Sequence, residues 1–464
     1  MKSPLSLLTL CLVLSACATA PEPAAPQALV PAQWSLVGTE PARQVDRLWW
    51  RQFASPELDR LIEQARAGSH DLAAAMARVR QARASAVIAR ASQWPQVQAG
   101  VNASRQKLLR GNGYSQLDAD SSDQTVDYFD ASLTASYEVD FWGGQAAARE
   151  SARQSLQASE FDRATVELTL LGAVADTYVR SLALEEQGRI AQLNLNNALD
   201  VLTLVQTRFE SGSATALELA QQQSLVAAQQ RRVPLLRQQA RDASISLAAL
   251  LGQPLQALDL QRQGFARLAW PDIASGVPSE LLTRRPDIAS AEARLAAAKA
   301  DVQVARAAML PRLTLSATVG SGAASAADVL RSPFYALTAG LIAPIFNNGR
   351  LGAERDLATA RAQELLQVYR GTLITGFADV EKALNSIDGL DRQRQWQDQE
   401  LAQAQRAFDI AQTRYQAGAE GLLTVLDTQR TLYQAQDLNV QLRLSRLQAS
   451  IALYKALGGG WQMP

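Results

Sequence analysis

The most regular signal along this chain is a strict alternation of apolar and polar residues, and it occurs four times. In residues 129–141, Phe129, Ala131, Leu133, Ala135, Tyr137, Val139 and Phe141 are apolar, while Asp130, Ser132, Thr134, Ser136, Glu138 and Asp140 intervene. The same period recurs at Val97, Ala99, Val101 and Ala103, at Leu313, Leu315, Ala317 and Val319, and from Tyr335 to Ile345. A period of two places each apolar set on one side of a strand, so the pattern predicts four strands with one greasy and one wet face. They fall into two β-hairpins, at 96–141 and 312–346, each with an internal polar loop, roughly 105–127 and 321–332.

After each hairpin the pattern changes to long helical sequence rich in Ala and Gln, roughly 145–210 and 350–416, opened by Gly143-Gly144 or Asn348-Gly349. At 1.5 Å per residue such a helix reaches ~100 Å. Each stretch stops at a glycine, Gly212 or Gly418, a residue suited to the left-handed closure of a helix, and a returning helix follows. The segments 145–250 and 350–457 therefore read as helical hairpins. Leu426, Tyr433, Val440, Leu447 and Tyr454 recur every seven residues on the last helix, as do Leu219, Val226, Val233, Ala240 and Leu247 on its counterpart, which marks a coiled-coil seam. Pro234, inside the earlier helix, predicts a kink. A shorter helix starts near Ser69 and again near Pro286, and stops before Pro95 and Pro311.

These elements are two copies of one plan. Asp71, Ala77, Arg78 and Pro95 correspond to Asp287, Ala293, Arg294 and Pro311, each 216 positions later. Gln206, Thr207, Arg208, Phe209, Gly212, Leu217 and Gly252 correspond to Gln412, Thr413, Arg414, Tyr415, Gly418, Leu423 and Gly458, each 206 later. The ten-residue difference arises between Pro311 and Phe346, where a strand loop absorbs it. A repeat fixes the architecture before any single motif is weighed. The first copy spans 57–260 and the second 281–464, with an inter-repeat linker at 261–280.

The N-terminus adds a location. Lys2, the apolar run Leu5–Leu14 and the ending Leu14-Ser15-Ala16-Cys17 read as an export signal over 1–16, too short to span a membrane. The ending resembles a bacterial lipoprotein box, which makes Cys17 the acylated first residue of the mature chain. Cys11 and Cys17 are the only cysteines among 464 residues, so the mature chain has no internal disulfide. Residues 17–56 are expected to form a lipid-anchored tether. Lys plus Arg and Asp plus Glu number 45 each, which leaves no basic field for nucleic acid.

Four strands of about ten residues are long enough to cross an outer membrane obliquely, but they leave two open edges that cannot face lipid. Closed barrels need at least about eight strands, so chains must combine, and three would give twelve. Polar strand faces would line the lumen, and Tyr128, Phe129, Tyr335 and Phe346 are expected in an aromatic girdle at the lipid interfaces.

Several segments in order carry a resemblance: WWRQFASPELDRLI at 49–62, YEVDFWGG at 137–144, PSELLTRRPDI at 278–288, APIFNNGRLGA at 343–353 and RYQAGAEGLLTVLDTQR at 414–430. With the lipoprotein box they make the chain similar to the TolC/OprM family of outer-membrane efflux proteins, in the branch serving resistance-nodulation-division pumps. The resemblance implies an α+β membrane fold, with four strands per chain completing a twelve-stranded trimeric barrel and a long α-helical periplasmic tunnel. It implies a passive exit duct, held in outer-membrane lipid and joined by a periplasmic adaptor to an inner-membrane pump. At the tunnel tip it implies that Leu423 forms an apolar constriction and Asp427 an acidic ring. It also implies that Arg414 and Tyr415 stabilise the closed gate and that the turns at Gly212 and Gly418 meet the adaptor. Leu423 and Asp427 are four apart, hence stacked on one helix face, whereas the first copy has Leu217 and Gln221.

Chemistry for catalysis is not apparent in the sequence. The single histidine, His70, begins a helix, and Glu185-Glu186 are adjacent and point apart. No phosphate loop, nucleophile elbow or Cys/His cluster occurs, so no cofactor or metal is expected and the driving energy must come from a partner. A duct for type I protein secretion or metal-ion efflux, and a non-channel structural envelope lipoprotein, remain alternatives.

Overall fold

The computed structural model describes residues 31–36, 46–107, 125–261, 264–271, 273 and 276–463. The signal segment 1–16 and Cys17 lie outside the described residues. The elements are α1 (Pro56–Gly68), α2 (His70–Ala91), β1 (Gln96–Lys107), β2 (Thr125–Val139), α3 (Gly144–Glu210) and α4 (Ala216–Leu250). After the linker come α5 (Leu281–Arg284), α6 (Pro286–Ala307), β3 (Arg312–Ala323), β4 (Pro333–Ile342), α7 (Arg350–Gln416) and α8 (Leu422–Ala456).

The strands form one antiparallel sheet in the order β1-β2-β3-β4. Its register aligns the alternation across the sheet: Val97 opposes Ala135, Ala135 opposes Ala317, and Ala317 opposes Leu337. One side is therefore apolar in all four strands. The other side carries Thr134 and Thr318, whose hydroxyls lie 3.1 Å apart. One expectation fails here. Tyr128 is one residue out of phase with Phe129, so it lies on the polar side and not in the apolar band; Phe346 lies beyond the end of β4.

The long helices α3 and α7 have 67 residues each, and their return helices α4 and α8 have 35 each. Helix α3 packs against α2, α4, α6 and α8, which joins the two copies along its length. The heptad positions Leu426, Tyr433, Val440, Leu447 and Tyr454 are buried, as are Val226, Val233 and Leu247. Pro234 does not break α4, which runs through it. The buried Val233 and Leu236 beside it pack with Leu184 and Ala191 of α3, and this packing holds the helix together despite the missing N–H donor.

The largest core lies where the hairpin roots meet the linker. A 3₁₀ turn at Trp49–Phe53 buries Trp49, Trp50 and Phe53 completely, and the Trp49 ring stacks on Tyr454 with centroids 5.0 Å apart. The stretch expected to be tether as far as residue 56 thus contributes to the core at Trp34, which is buried with its indole N–H on the Gly276 carbonyl, and from Trp49 to Phe53, because large apolar rings gain more from burial than from exposure. The repeated glycines Gly252 and Gly458 end α4 and α8 at positive φ, 71° and 87°, each against a carbonyl oxygen, that of Gly68 or Arg284. Neither position has room for a side chain.

Candidate functional site: the paired hairpin tips

The two helical hairpins turn at the same end of the molecule. At the first turn Gly212 adopts φ 74°, and the Ser213 N–H donates to the Arg208 carbonyl at 2.7 Å. At the second, Gly418 adopts φ 75° and the Ala419 N–H donates to the Arg414 carbonyl at 2.9 Å. Both are left-handed closures that satisfy otherwise orphaned helix carbonyls.

Beyond the turns the copies diverge. Helix α4 begins with a capping box: the Thr215 hydroxyl accepts from the Glu218 N–H at 3.2 Å, and the Glu218 carboxylate accepts from the Thr215 N–H at 2.7 Å. Ser211 and Ser213 add hydroxyl bonds to the Arg208 carbonyl. Helix α8 begins at Gly421 with no side-chain cap. At its second residue Leu423 is 70% exposed, and one turn on Asp427 lies on the same face, also exposed.

A residue of the first copy secures the second tip. The Arg208 guanidinium lies 4.3 Å from the centre of the buried Tyr415 ring. Its Nη2 donates to the carbonyl oxygens of Tyr415 at 2.6 Å and Gln416 at 3.3 Å. A cation at the C-terminus of a 67-residue helix meets the negative end of its dipole. Burial pushes the Tyr415 phenol above its ordinary value, against the pull of the Arg208 charge. Arg414 does not join this contact. It stays exposed, with its Nε 3.5 Å from a Glu420 carboxylate oxygen. Sequence reasoning singled out Arg414 and missed Arg208, although Arg208 stands 206 positions earlier in the same repeated Gln-Thr-Arg motif.

Residues 61–253 and 277–459, the two repeats, match the family described as outer membrane efflux protein. The chain belongs to this family. It is 61% identical over 459 residues to the pyoverdine export outer membrane protein OpmQ of Pseudomonas aeruginosa, covering 99% of this chain and 97% of that protein. The OpmQ of Pseudomonas putida is 63% identical over the same length and coverage. Among solved structures, that of the outer-membrane channel OprN superposes with a TM-score of 0.88 at 27% identity, covering 96% of this chain and all of that one. As an outer membrane efflux protein the chain is a channel component of the outer membrane, with the tunnel-plus-barrel fold of its relatives.

Proposed function

We propose that three copies of this chain close into the passive exit duct of a tripartite exporter, and that its cargo is the siderophore pyoverdine. The cargo reading rests on one observation, the full-length identity above 60% to two proteins named for pyoverdine export. Expression in a Pseudomonas putida strain lacking its own OpmQ should restore pyoverdine to the medium. Retention in the periplasm despite normal outer-membrane insertion would reject this cargo.

Trimer closure is supported at both ends of the molecule. In the sheet, β1 and β4 each keep one edge unpaired among the described residues, which a neighbouring chain must complete in lipid. On the helices, Trp396 and Ile410 of α7 are 68% and 60% exposed, whereas their repeat equivalents Ile190 and Leu204 on α3 pack against buried clusters. A neighbour's α4, placed on α7 as α8 sits on α3, would bury both.

In this reading Leu423 and Asp427 narrow the lumen three times over. Arg208 and Tyr415 hold the second tip closed, with Arg414 beside them on the same turn, and the turns at Gly212 and Gly418 meet the periplasmic adaptor. The chain performs no catalysis, and an inner-membrane pump of the resistance-nodulation-division type supplies the energy. Residues 1–16 are removed and Cys17 carries the acyl anchor. Labelling cells with palmitate should mark the wild type, and Cys17→Ser should lose the label.

A further inference from the structure

In the duct reading, on which this inference rests, the polar side of the sheet faces the lumen. That wall is built from small and polar residues such as Gln98, Asn102, Ser132 and Thr134, and two aromatic residues interrupt it. Phe334 of β4 stands opposite Gly320, which stands opposite Ser132. Tyr128 lies two residues before Asp130 on the same side of β2, and Asp130 stands opposite Gly322. All are near the hairpin end of the sheet, away from the helices, hence near the outer mouth.

Glycine shapes this spot. A Cβ on Gly322 would fall 2.7 Å from the Tyr128 Cζ, and one on Gly320 would fall 3.0 Å from the Phe334 Cζ. Both rings therefore occupy space that any other residue would fill, and they lean along the wall over the glycines. Tyr128 and Phe334 remain 42% and 39% exposed, so part of each ring is left open on this side of the sheet for a solute to contact. Asp130 adds a carboxylate beside the two rings.

We propose that Tyr128, Phe334 and Asp130 form an acidic aromatic collar near the outer mouth that binds planar aromatic cations in transit. Flat π-surfaces stack on the rings, a positive charge is attracted by both ring face and carboxylate, and three chains repeat the site around the lumen. The collar gives the passive wall a preference among solutes, and a wall of Ser, Thr and Gln alone would have none.

Single-channel recording tests it, in Asp427→Ala channels so that the tip ring contributes nothing, with blockers added on the outer side. The planar cation N-methylquinolinium should interrupt the current at a concentration about tenfold lower than its saturated-ring analogue, the scale of a stacked ring pair. Tyr128→Leu with Phe334→Leu, which keeps the glycines covered, should bring the two blockers to parity while conductance and trimer yield stay as before. Asp130→Asn should weaken both cations about equally. Equal block by both cations in the parent channel, or an aromatic preference that survives the double leucine variant, would leave the rings as mere cover for the glycines and overturn the collar. Absence of any conductance would overturn the duct reading and the collar with it.

Discussion

The two hairpin tips descend from one ancestral segment and are held in opposite ways. The first tip is secured by its own residues: the Thr215–Glu218 capping box and the hydroxyls of Ser211 and Ser213. The second has alanines at the matching turn positions, an uncapped start at Gly421, and a helix end held by Arg208 from the other copy. A contact between copies can be released without unfolding either turn. On the gate reading, duplication has made one hairpin the fixed frame and the other the movable part.

The strongest way to break this comparison is Arg208→Ala. It removes two charged hydrogen bonds and a ring contact, together worth about 2 kcal/mol, so the open fraction of the channel is expected to rise on the order of tenfold or more. Bilayer conductance checks it, and Arg414→Ala should have a smaller effect. If Arg414→Ala opened the channel more than Arg208→Ala, the roles of the copies would be reversed.

Next in size is Asp427→Asn against Gln221→Asp. On the gate reading, loss of an Asp427 ring is expected to weaken block by divalent cations about tenfold, since three like charges around a narrow lumen attract a cation together. The acid transplanted onto the half-buried first-copy site should not restore that block.

Smaller again is Thr215→Ala. It should cost about 1 kcal/mol of local helix stability, visible as faster amide exchange at the start of α4, with conductance unchanged. A rise in conductance would show that the first tip moves too.

The smallest effect concerns Asp176 of α3, far from both tips. Burial raises its carboxyl above the ordinary 3.8, outweighing the help of Gln448, Arg180 and Lys455. A carboxyl raised on folding contributes most at low pH and loses that contribution as pH climbs through its folded value. Asp176→Asn should therefore raise the thermal midpoint slightly at neutral pH, by about 2 °C, with the gain vanishing as pH falls toward 3.8. A gain that grew on acidification would refute the sign.

Alternation and heptad spacing made the strands and long helices legible, because each periodicity reports one geometry directly. Turn glycines were legible for the same reason, since few other residues close a helix at positive φ. Pairing between copies was not. Arg208 and Arg414 have the same local sequence, and only the way α3 lies against α8 decides which one reaches a neighbouring helix end. The burial of Trp49 was hidden likewise: its partner Tyr454 is distant in sequence, and nothing local shows it. The phase of Tyr128 was readable by counting, but two adjacent aromatics, Tyr128 and Phe129, invite assignment to a single band.

The stacking of Trp49 on Tyr454, with the Gln52 side chain accepting from the Tyr454 hydroxyl across 402 positions, sets an order of events during biogenesis. A segment made early completes its core only when the last helix has arrived. Such non-local closure is slow and cannot begin on a partly delivered chain. A precursor threading through a narrow pore therefore cannot complete this core until its end has passed, and the chain carries in its own topology a delay in final maturation.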